Sequence, residues 1–540
     1  MRVDTLTGII LRVAAPCMVA SLLTACGSTW KVSATAAAGG SISPSSAIVD
    51  GGSTTKFTVT ADAGYSIGSV TGCSGTLSGD TYTTGMIDGD CTVTATFATS
   101  DFVWVSGSSS GGARGAYGTE GNASSTNAPG ARYGAVGWTD NSGNLWLFGG
   151  HGWDSTGTAG DLSDLWEYSP ASGQWTWISG ADTVNAVGVY GTQGAASSTN
   201  VPGARDGAVS WRDSSGNLWL FGGNGYDSTG AVGSLNDLWE YSPSGGGWIW
   251  VSGSSAADAT GVYGTEGIAA STNVPGARDG AVSWIDSSGN LWLFGGSGYD
   301  STGAAGSLND LWEYSPSGGA WTWVDGSSTR NAKGAYGTEG VAASANMPGA
   351  RDGAVSWIDS SGNLWLFGGD GYDSVGTSGA LNDLWEYSPS SGKWTWVSGS
   401  NVGGATGIYG SESVAASANV PGARDDAVGW MDTSGNLWLF GGNGYDSTGA
   451  SGPLNDLWEY SPSSGEWTWT GGSSTYGAIG DYGIEGVAAS ANVAGARDSA
   501  ISWVSNGNLW LFGGYGYDST APGNYLNDLW QCPASSSTSQ

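Results

Sequence analysis

Short runs in which large apolar residues alternate with small polar ones occupy most of the chain after residue 30, and clusters of Gly, Ser, Asp and Asn separate them. Val209-Ser210-Trp211 and Trp248-Ile249-Trp250 are typical examples. A period of two places alternate side chains on one face of an extended chain. Runs of this length that are bounded by turn residues predict β-strands. We therefore expect an all-β protein.

The strand pattern is repeated along the chain. A block reading Asn-Leu-Trp-Leu-Phe-Gly-Gly recurs with a period of 73 residues that shortens once to 72. Its last glycines are Gly150, Gly223, Gly296, Gly369, Gly442 and Gly514. The second copy holds four strand-like runs, at 208–211, 218–221, 238–241 and 248–251. Four short strands per repeat are typical of one blade of a propeller.

The sixth copy ends before its fourth strand, yet a copy of that strand stands ahead of the first repeat. Residues 102–107 read Phe-Val-Trp-Val-Ser-Gly, like the fourth strands of the other copies. We predict that this segment is the outer strand of the last blade. Such pairing closes the array into a ring and removes the open end of a linear array.

The repeats resemble the kelch family. The Gly-Gly doublet closes the second strand, and a Tyr then precedes a Trp at a fixed distance, as in Tyr168/Trp175 and Tyr241/Trp248. The resemblance covers residues 101–540, although kelch units are usually shorter than these. It implies a six-bladed kelch β-propeller closed by an N-terminal outer strand. Most of the 31 tryptophans then have a packing role between blades.

Residues 26–100 predict a separate small β module with a thin core. Cys73 and Cys91 are the only cysteine pair in its strands, and we expect them to form a disulfide in an exported protein. The runs Gly-Gly-Ser-Ile-Ser-Pro at 39–44 and Val-Thr-Gly-Cys at 70–73 resemble the divergent internalin-type B-repeat of bacterial surface proteins. That resemblance implies a spacer or adhesive module.

Residues 1–25 have the layout of a secretory signal, with Arg2 followed by a short apolar stretch. Leu23-Thr24-Ala25-Cys26 resembles a bacterial lipobox, which implies lipidation at Cys26. An ordinary signal peptide with a chance cysteine is the alternative. Gly27 after the cysteine resembles sorting to the outer membrane of a Gram-negative bacterium. We expect an exported lipoprotein at the outer membrane or cell surface that contacts the membrane through its lipid anchor only.

The charge and the side-chain inventory restrict the function. Asp and Glu number 47 against 15 Lys and Arg, so the formal net charge of -32 disfavours nucleic acid as a partner. One His and five Cys leave few ligands for zinc, copper or haem. Near-identical repeats offer no asymmetric set of nucleophile and base, and no known catalytic motif is evident. We expect a non-enzymatic protein without a cofactor.

Two long connections in each repeat open at the same end of the predicted ring, and long connections often carry function. One arginine per repeat stands at the end of the longer connection. These are Arg132, Arg205, Arg278, Arg351, Arg424 and Arg497. In the kelch resemblance, arginines placed in this way hold acidic peptide ligands. The alternative is that they brace the fold by pairing with the aspartate that follows, such as Asp206, or with a neighbouring blade.

The run Gly-Tyr-Asp-Ser-Thr in the other connection supplies rings and oxygens for a glycan. The tyrosines are Tyr226, Tyr299, Tyr372, Tyr445 and Tyr517. The same oxygens suit calcium, although no calcium-binding loop spacing is present, and Asx turns explain the aspartates equally well.

Repetition on one disc favours multivalent recognition. The sequence therefore predicts a monomeric, lipid-anchored envelope protein that binds an envelope or extracellular protein, or a glycan, through its long-loop face. A carbohydrate-active enzyme of the kelch type, such as a sugar epimerase, is the alternative.

Overall fold

The computed structural model describes residues 28–37, 40–61, 65–99, 102–489, 491–520 and 523–533. The expected signal peptide at 1–25 and the expected lipidation site Cys26 lie outside these residues. The chain divides into a smaller unit that extends to Phe97 and a larger unit that begins at Ala98. All described regular structure is β-strand. Within the described part of the chain, no helix has the length and apolar character needed to cross a bilayer.

The smaller unit consists of two four-stranded sheets. Its strands are Thr29–Ala36, Gly40–Ser43, Ser46–Asp50, Lys56–Ala61, Tyr65–Thr71, Thr76–Ser78, Thr81–Thr83 and Cys91–Thr99. Alternate residues of these strands form one core, in which Val32, Phe57 and Val93 are buried. Cys73 and Cys91 form the predicted disulfide, with their Cα atoms 5.6 Å apart. A crosslink over such a loop stabilises a small domain by about 3 kcal/mol.

The larger unit has a β-propeller-like repeat architecture. Its described residues form a four-stranded antiparallel arrangement in each of the six sequence repeats, and in the first five the strands follow chain order from the inner to the outer strand. The inner strands are Val136–Thr139, Val209–Arg212, Val282–Ile285, Val355–Ile358, Val428–Met431 and Ile501–Ser505. The second strands are Leu145–Phe148, Leu218–Phe221, Leu291–Tyr299, Leu364–Phe367, Leu437–Phe440 and Asn508–Phe512.

The remaining two strands of each sheet carry most of the tryptophans. The third strands are Leu165–Ser169, Leu238–Ser242, Ala305–Ser315, Leu384–Ser388, Leu457–Ser461 and Leu529–Pro533. The outer strands are Gln174–Ser179, Gly247–Ser252, Ala320–Asp325, Lys393–Ser398, Glu466–Gly471 and, for the last sheet, Val103–Ser106. The prediction that residues 102–107 supply this last strand is confirmed, because Trp104 pairs with Trp530 and Ser106 with Leu529 in an antiparallel ladder.

Each hydrophobic core lies between neighbouring repeats. Trp138 and Phe148 of the first repeat pack with Leu220 and Trp239 of the second. The last repeat packs on the first in the same way, through Trp503 against residues that include Trp166. Each buried indole contributes about 2–3 kcal/mol by area. The repeats therefore stabilise each other in cyclic order, and the expected packing role of most tryptophans is confirmed.

A ring of backbone hydrogen bonds runs around the starts of the inner strands. The amide of Gly207 donates to the carbonyl of Gly134 at 2.8 Å, and the amide of Gly280 donates to Gly207 at 2.8 Å. The pattern continues through the next three repeats, and Gly134 donates in turn to Ser499 at 2.9 Å. Six residues, one per repeat, thus form a closed cycle. Its members are Gly134, Gly207, Gly280, Gly353, Asp426 and Ser499.

The connection after each Gly-Gly doublet is not a free loop. It folds into a short hairpin that pairs with the Arg-Asp dipeptide ahead of the inner strand, and we call each such three-stranded arrangement a rim sheet. In the first repeat the rim sheet contains Arg132–Tyr133, His151–Trp153 and Ala159–Asp161. In the third repeat the rim and main sheets are continuous, because Leu291–Tyr299 and Ala305–Ser315 pass through both. In each repeat, the arginine and the residue after it in the rim sheet directly precede the residue that belongs to the hydrogen-bonded ring.

The long connections between repeats also have a structural role. The connection before the second repeat lies along the outer strand of that repeat. Gly194 donates its amide to Trp250 O at 2.8 Å, and Asn200 Nδ2 donates to Trp248 O at 3.0 Å. These bonds cover an edge strand that otherwise exposes unpaired carbonyl groups. The expectation that these connections form a binding face stays a prediction.

Candidate functional site

The six arginines are buried, each with about 1% of its surface exposed. In the third repeat, Arg278 Nη1 and Nη2 donate to the two carboxylate oxygens of Asp310 at 2.7 and 2.8 Å. Arg278 Nε and Nη1 also donate to the carbonyls of Gly276 and Gly295. The prediction that these arginines contact a ligand is wrong, because their side chains do not reach solvent.

The arginines brace the fold, as the alternative predicts, but their partner is not the aspartate that directly follows them. The carboxylate that pairs with each arginine belongs to the aspartate just before the third strand, whereas the aspartate next to the arginine points elsewhere. The pairs are Arg132–Asp164, Arg205–Asp237, Arg278–Asp310, Arg351–Asp383, Arg424–Asp456 and Arg497–Asp528. A buried tyrosine completes each group, as Tyr263 does by donating its hydroxyl to Asp310 at 2.6 Å. Burial and the Asp310 charge raise the pKa of Tyr263, so this hydroxyl stays protonated.

The five predicted tyrosines lie in the rim hairpins and are half-buried. Tyr226 pairs with Val232 across its hairpin, and the ring of Tyr445 lies beside Gly404 in the connection between repeats. None of the five lines the central cavity described below. Their role in glycan binding stays a prediction.

The aspartate of the Gly-Tyr-Asp-Ser-Thr run forms an Asx turn. Asp227 Oδ1 accepts the amides of Thr229 and Ala231 and the Thr229 hydroxyl, while Oδ2 accepts the amide of Ala257. These donors lower the pKa of Asp227 in spite of its desolvation. Among the described residues, no group of three or more His, Cys, Asp or Glu side chains is arranged to hold a metal ion.

A cavity of about 270 Å³ opens where the six inner strands begin, and we call it the channel mouth. Its wall consists of Tyr133, the residues of the hydrogen-bonded ring, one alanine per repeat, and three aspartates outside the ring. The acids that line it are Asp206, Asp279, Asp352 and Asp426. With the neighbouring Asp425 and Asp498 they form what we call the acidic arc. No Lys or Arg lines the cavity, and no carboxylate of the arc forms an ion pair among the described residues.

Crowding of these carboxyl groups raises their pKa values. Desolvation is the main cause for Asp206 and Asp352, and neighbouring carboxylates add to it, so the pKa of each rises to about 7. The same causes raise the pKa of Asp425 and of Asp498 to about 7, and desolvation raises that of Asp279 to about 6. Groups with pKa values near neutrality are a feature of functional sites, although structural networks produce them too.

The rim sheets, whose Tyr133 or aspartate side chains adjoin the channel mouth, differ from repeat to repeat. The residue that pairs with the acid across each rim sheet changes in almost every repeat. This position holds His151, Asn224, Ser297, Asp370, Asn443 and Tyr515. The next strand of the rim sheet varies in the same way, with Asp161, Ser234, Ser307, Ala380, Pro453 and Tyr525. A repeated scaffold therefore carries rim sheets that are not equivalent next to the mouth.

The first and last repeats place four rings side by side at the mouth. Tyr133 replaces the aspartate of the other repeats, and its ring centroid lies 5.3 Å from that of Tyr525 and 5.4 Å from that of His151. Tyr515 lies 5.9 Å from Tyr525 and is 38% exposed. We call these four residues the aromatic cluster. Desolvation and nearby charges such as that of Asp206 raise the pKa of Tyr133 to about 12, so its hydroxyl stays protonated.

His151 is held by an acid from its own rim sheet. Its Nδ1 lies 2.7 Å from Asp161 Oδ1, and this hydrogen bond raises the pKa of the imidazole above its usual value. The pair adds no net charge to the mouth when both groups are ionised. From the sequence, His151 is recognisable only as the single histidine of the chain. Its pairing with Asp161 depends on the strand register of the rim sheet, which the sequence does not show.

Two residues of the hydrogen-bonded ring depart from glycine. Asp426 and Ser499 occupy the ring position with φ values of 51° and 50°. A side chain in this left-handed region is strained. Asp426 nevertheless adds a second carboxyl group to the mouth in the fifth repeat. Comparison of the six copies with each other could have identified this position before the structure.

Comparison with known proteins adds little beyond the fold. No curated protein matches the chain. Among solved structures, the chain is similar to the one titled "Structure of YjhT", at 15% identity and a TM-score of 0.44. That match covers 74% of this chain and 95% of the other, and the likeness is weak. A family model for the divergent InlB B-repeat domain matches residues 30–101, which confirms the resemblance of that segment.

Proposed function

We propose that residues 102–533 form a six-bladed kelch β-propeller closed by the strand Val103–Ser106. The closed hydrogen-bond cycle with one member per repeat supports six blades. The core shared by the first and last repeats supports closure. The propeller then serves as a rigid ring whose central mouth is accessible from one end.

The protein is proposed to be a non-enzymatic binding protein of the cell envelope, and its channel mouth is the binding site. The observation that carries this proposal is a central cavity lined by Tyr133 and four aspartates, next to rim sheets whose residues differ from repeat to repeat. Packing alone does not require the variation, because every version of the rim sheet forms the same pairs. The partner is an envelope or extracellular protein or a glycan. This replaces the arginine ring as the recognition surface.

The lipid anchor at Cys26 and a location at the outer membrane or cell surface remain part of the proposal. They rest on the sequence of residues 1–27 alone. Monomeric behaviour is also proposed, since each repeat already packs on two neighbours.

Capture of envelope components by the purified protein tests the proposal. We expect the wild type to retain a specific component and the double variant Asp206→Asn with Asp352→Asn to lose at least about 90% of it, because these two carboxyls line the mouth. Glu339→Gln removes one charge from an exposed loop residue and is the control. Equal capture by all three proteins would contradict a site at the mouth.

One observation favours an enzyme as the second candidate. His151, paired with Asp161 and beside Tyr133 and Asp206, belongs to an asymmetric set of groups, and the pKa values of His151, Tyr133 and Asp206 are raised. Such a set is suited to proton transfer in a carbohydrate-active enzyme, for example an epimerase. Turnover of any sugar by the wild type, lost in His151→Asn, would support this candidate over simple binding.

A further inference from the structure

The channel mouth has two chemically different walls, and they indicate one class of ligand. This inference rests on the proposal that the mouth is the binding site. One wall belongs to the acidic arc, and the other is Tyr133, whose ring is flanked by those of Tyr525 and Tyr515 where the first and last repeats meet. We propose that the mouth binds an organic ammonium group, held between the rings of Tyr133, Tyr515 and Tyr525 and the carboxyl groups of Asp206 and Asp352.

The aromatic cluster is the first support for the proposal, because the fold does not require its rings. The second, third, fourth and fifth repeats form rim sheets of the same pairing with Asn224, Ser297, Asp370 and Asn443 at the position of Tyr515. Tyr133 likewise stands where five repeats have aspartate. The rings therefore serve something other than strand pairing. Faces of aromatic rings near an entrance attract cations, and quaternary ammonium groups in particular.

The absence of positive groups from the mouth wall is the second support. Arg132 and its five equivalents are paired with buried carboxylates. No Lys or Arg lines the cavity. The amides of the hydrogen-bonded ring are not available either, since each donates to the carbonyl of the preceding repeat in the cycle. An anionic ligand would thus meet carboxylates without a compensating cation. A cation would instead relieve their mutual repulsion, which agrees with the raised pKa of Asp206.

The size of the cavity restricts what enters. About 270 Å³ lies at the lower end of the range for small-molecule pockets. This space accommodates an alkylammonium head group rather than a folded segment. The head group belongs either to a free small molecule or to a lysine side chain of a peptide, and the experiment distinguishes these sources.

Calorimetric titration of the full chain tests the proposal with two ammonium probes, choline and the peptide N-acetyl-Gly-Lys-Gly-amide. The control ligand is 3,3-dimethylbutan-1-ol, a neutral compound with the shape of choline. We expect at least one ammonium probe to bind and the neutral compound to bind about tenfold more weakly or not at all. Binding of choline alone indicates a free small cation, and binding of the peptide alone indicates a lysine side chain.

Variants that copy other repeats separate aromatic recognition from simple attraction to negative charge. Tyr133→Asp, Tyr515→Asn and Tyr525→Ser each install the residue found at the equivalent place of another repeat, so the rim sheet is retained. We expect each to weaken binding about fivefold or more, although Tyr133→Asp adds a negative charge. Asp206→Asn should weaken binding as well, and Glu339→Gln should not. The rise in melting temperature caused by the probe is the second readout.

The proposal would be overturned by no binding of either ammonium probe, by equal binding of the neutral compound, or by equal or tighter binding to Tyr133→Asp. Displacement of the probe by sodium at the same concentration would also overturn it, since this indicates unspecific charge attraction. If no ammonium probe binds but the Asp206→Asn and Asp352→Asn variant still loses its envelope partner, the ligand class is wrong and the proposed function stands. If an ammonium probe binds and no envelope component is captured, the ligand class stands and the proposed function is wrong.

Discussion

At the scale of single residues, the larger unit depends on a buried group that occurs once per repeat. Asp310 accepts two hydrogen bonds from Arg278, one from Tyr263 and one from the indole of Trp312, at 2.6 to 2.8 Å. These donors satisfy the carboxylate without water. Such a group fixes the rim sheet to the third strand of the same repeat, and the geometry is specific because arginine binds carboxylates in a bidentate manner.

Removal of one partner from this group should be costly. We expect Arg278→Gln to lower the free energy of unfolding by about 3–5 kcal/mol, because it leaves Asp310 as an uncompensated buried charge. Chemical denaturation monitored by tryptophan fluorescence measures the change. Arg330→Gln is the matched control, since Arg330 is exposed, and it should change the free energy by less than about 0.5 kcal/mol. Equal effects of the two variants would refute a structural role of the buried pair.

The sequence could identify Arg278 and its equivalents as special but could not show whether they face solvent or the interior. The partner Asp310 stands 32 positions further along the chain, beyond a complete hairpin. Only tertiary pairing of the rim and main sheets brings them together. Arg and Asp recur at equivalent positions in all six repeats, which is compatible with such pairing. Other residues of the repeat recur with the same period, so recurrence alone does not identify the partner of the arginine.

At the scale of strands, the main sheets were predictable because their residues alternate in a simple manner. The inner strand Val282–Ile285 has buried, half-buried, buried and half-buried side chains in turn, as its Val-Ser-Trp-Ile sequence predicts. The closing strand was predictable because its sequence is similar to those of the other outer strands. The rim sheets were not predictable, since strands of two or three residues that contain Gly and Asp show no apolar period.

The closing strand should control the stability of the whole larger unit. Replacement of Val103-Trp104-Val105 by Gly-Ser-Gly removes the T-shaped contact of Trp104 with Tyr482 and the side chains that cover the last core. We expect the melting temperature to fall by about 5 °C or more, in one transition. Differential scanning calorimetry measures it. The same replacement at 108–110, just outside the ladder, serves as the control and should shift the temperature by less than about 2 °C.

An unchanged melting temperature in the Val103–Val105 variant would show that the last sheet does not need its outer strand. A separate low-temperature transition confined to the sixth repeat would show that the repeats melt one by one. Either result would contradict cyclic stabilisation of the unit.

At the scale of the whole molecule, crowded acids make stability depend on pH in an unusual direction. An aspartate has a pKa near 3.9 when unfolded, whereas Asp206, Asp352, Asp425 and Asp498 have values of about 7 in the fold. The folded state thus binds more protons than the unfolded state between about pH 4 and 7. Stability from these groups is full below this window and falls as the pH rises through it. The raised pKa of His151 acts with the same sign.

We therefore expect the melting temperature of the larger unit to be higher at pH 5.5 than at pH 8. The double variant Asp206→Asn with Asp352→Asn should be more stable than the wild type at pH 8, by on the order of 1 kcal/mol, and should depend less on pH. Thermal melts across this pH range test both expectations, with Glu339→Gln as the control. A melting temperature that rises steadily from pH 5.5 to 8 would contradict the proposed crowding.

The candidate site was harder to predict than the fold because repetition conceals it. Identity between copies directs attention to residues such as Arg278, which occurs in every repeat, whereas the aromatic cluster is built from residues that differ, such as Tyr133, His151 and Tyr525. Strand register then decides that these three residues meet, although almost 400 positions separate the first from the last. No local pattern contains that information.

Closure by Val103–Ser106 also determines the order of events when the protein is made. The strand that leaves the ribosome first within the larger unit must wait, unpaired, until its partner Leu529–Pro533 has been synthesised. Until then the exposed rings of Phe102 and Trp104 are available to chaperones and to other nascent chains. The ring is therefore sealed only after Leu529–Pro533 has been synthesised and has paired with Val103–Ser106.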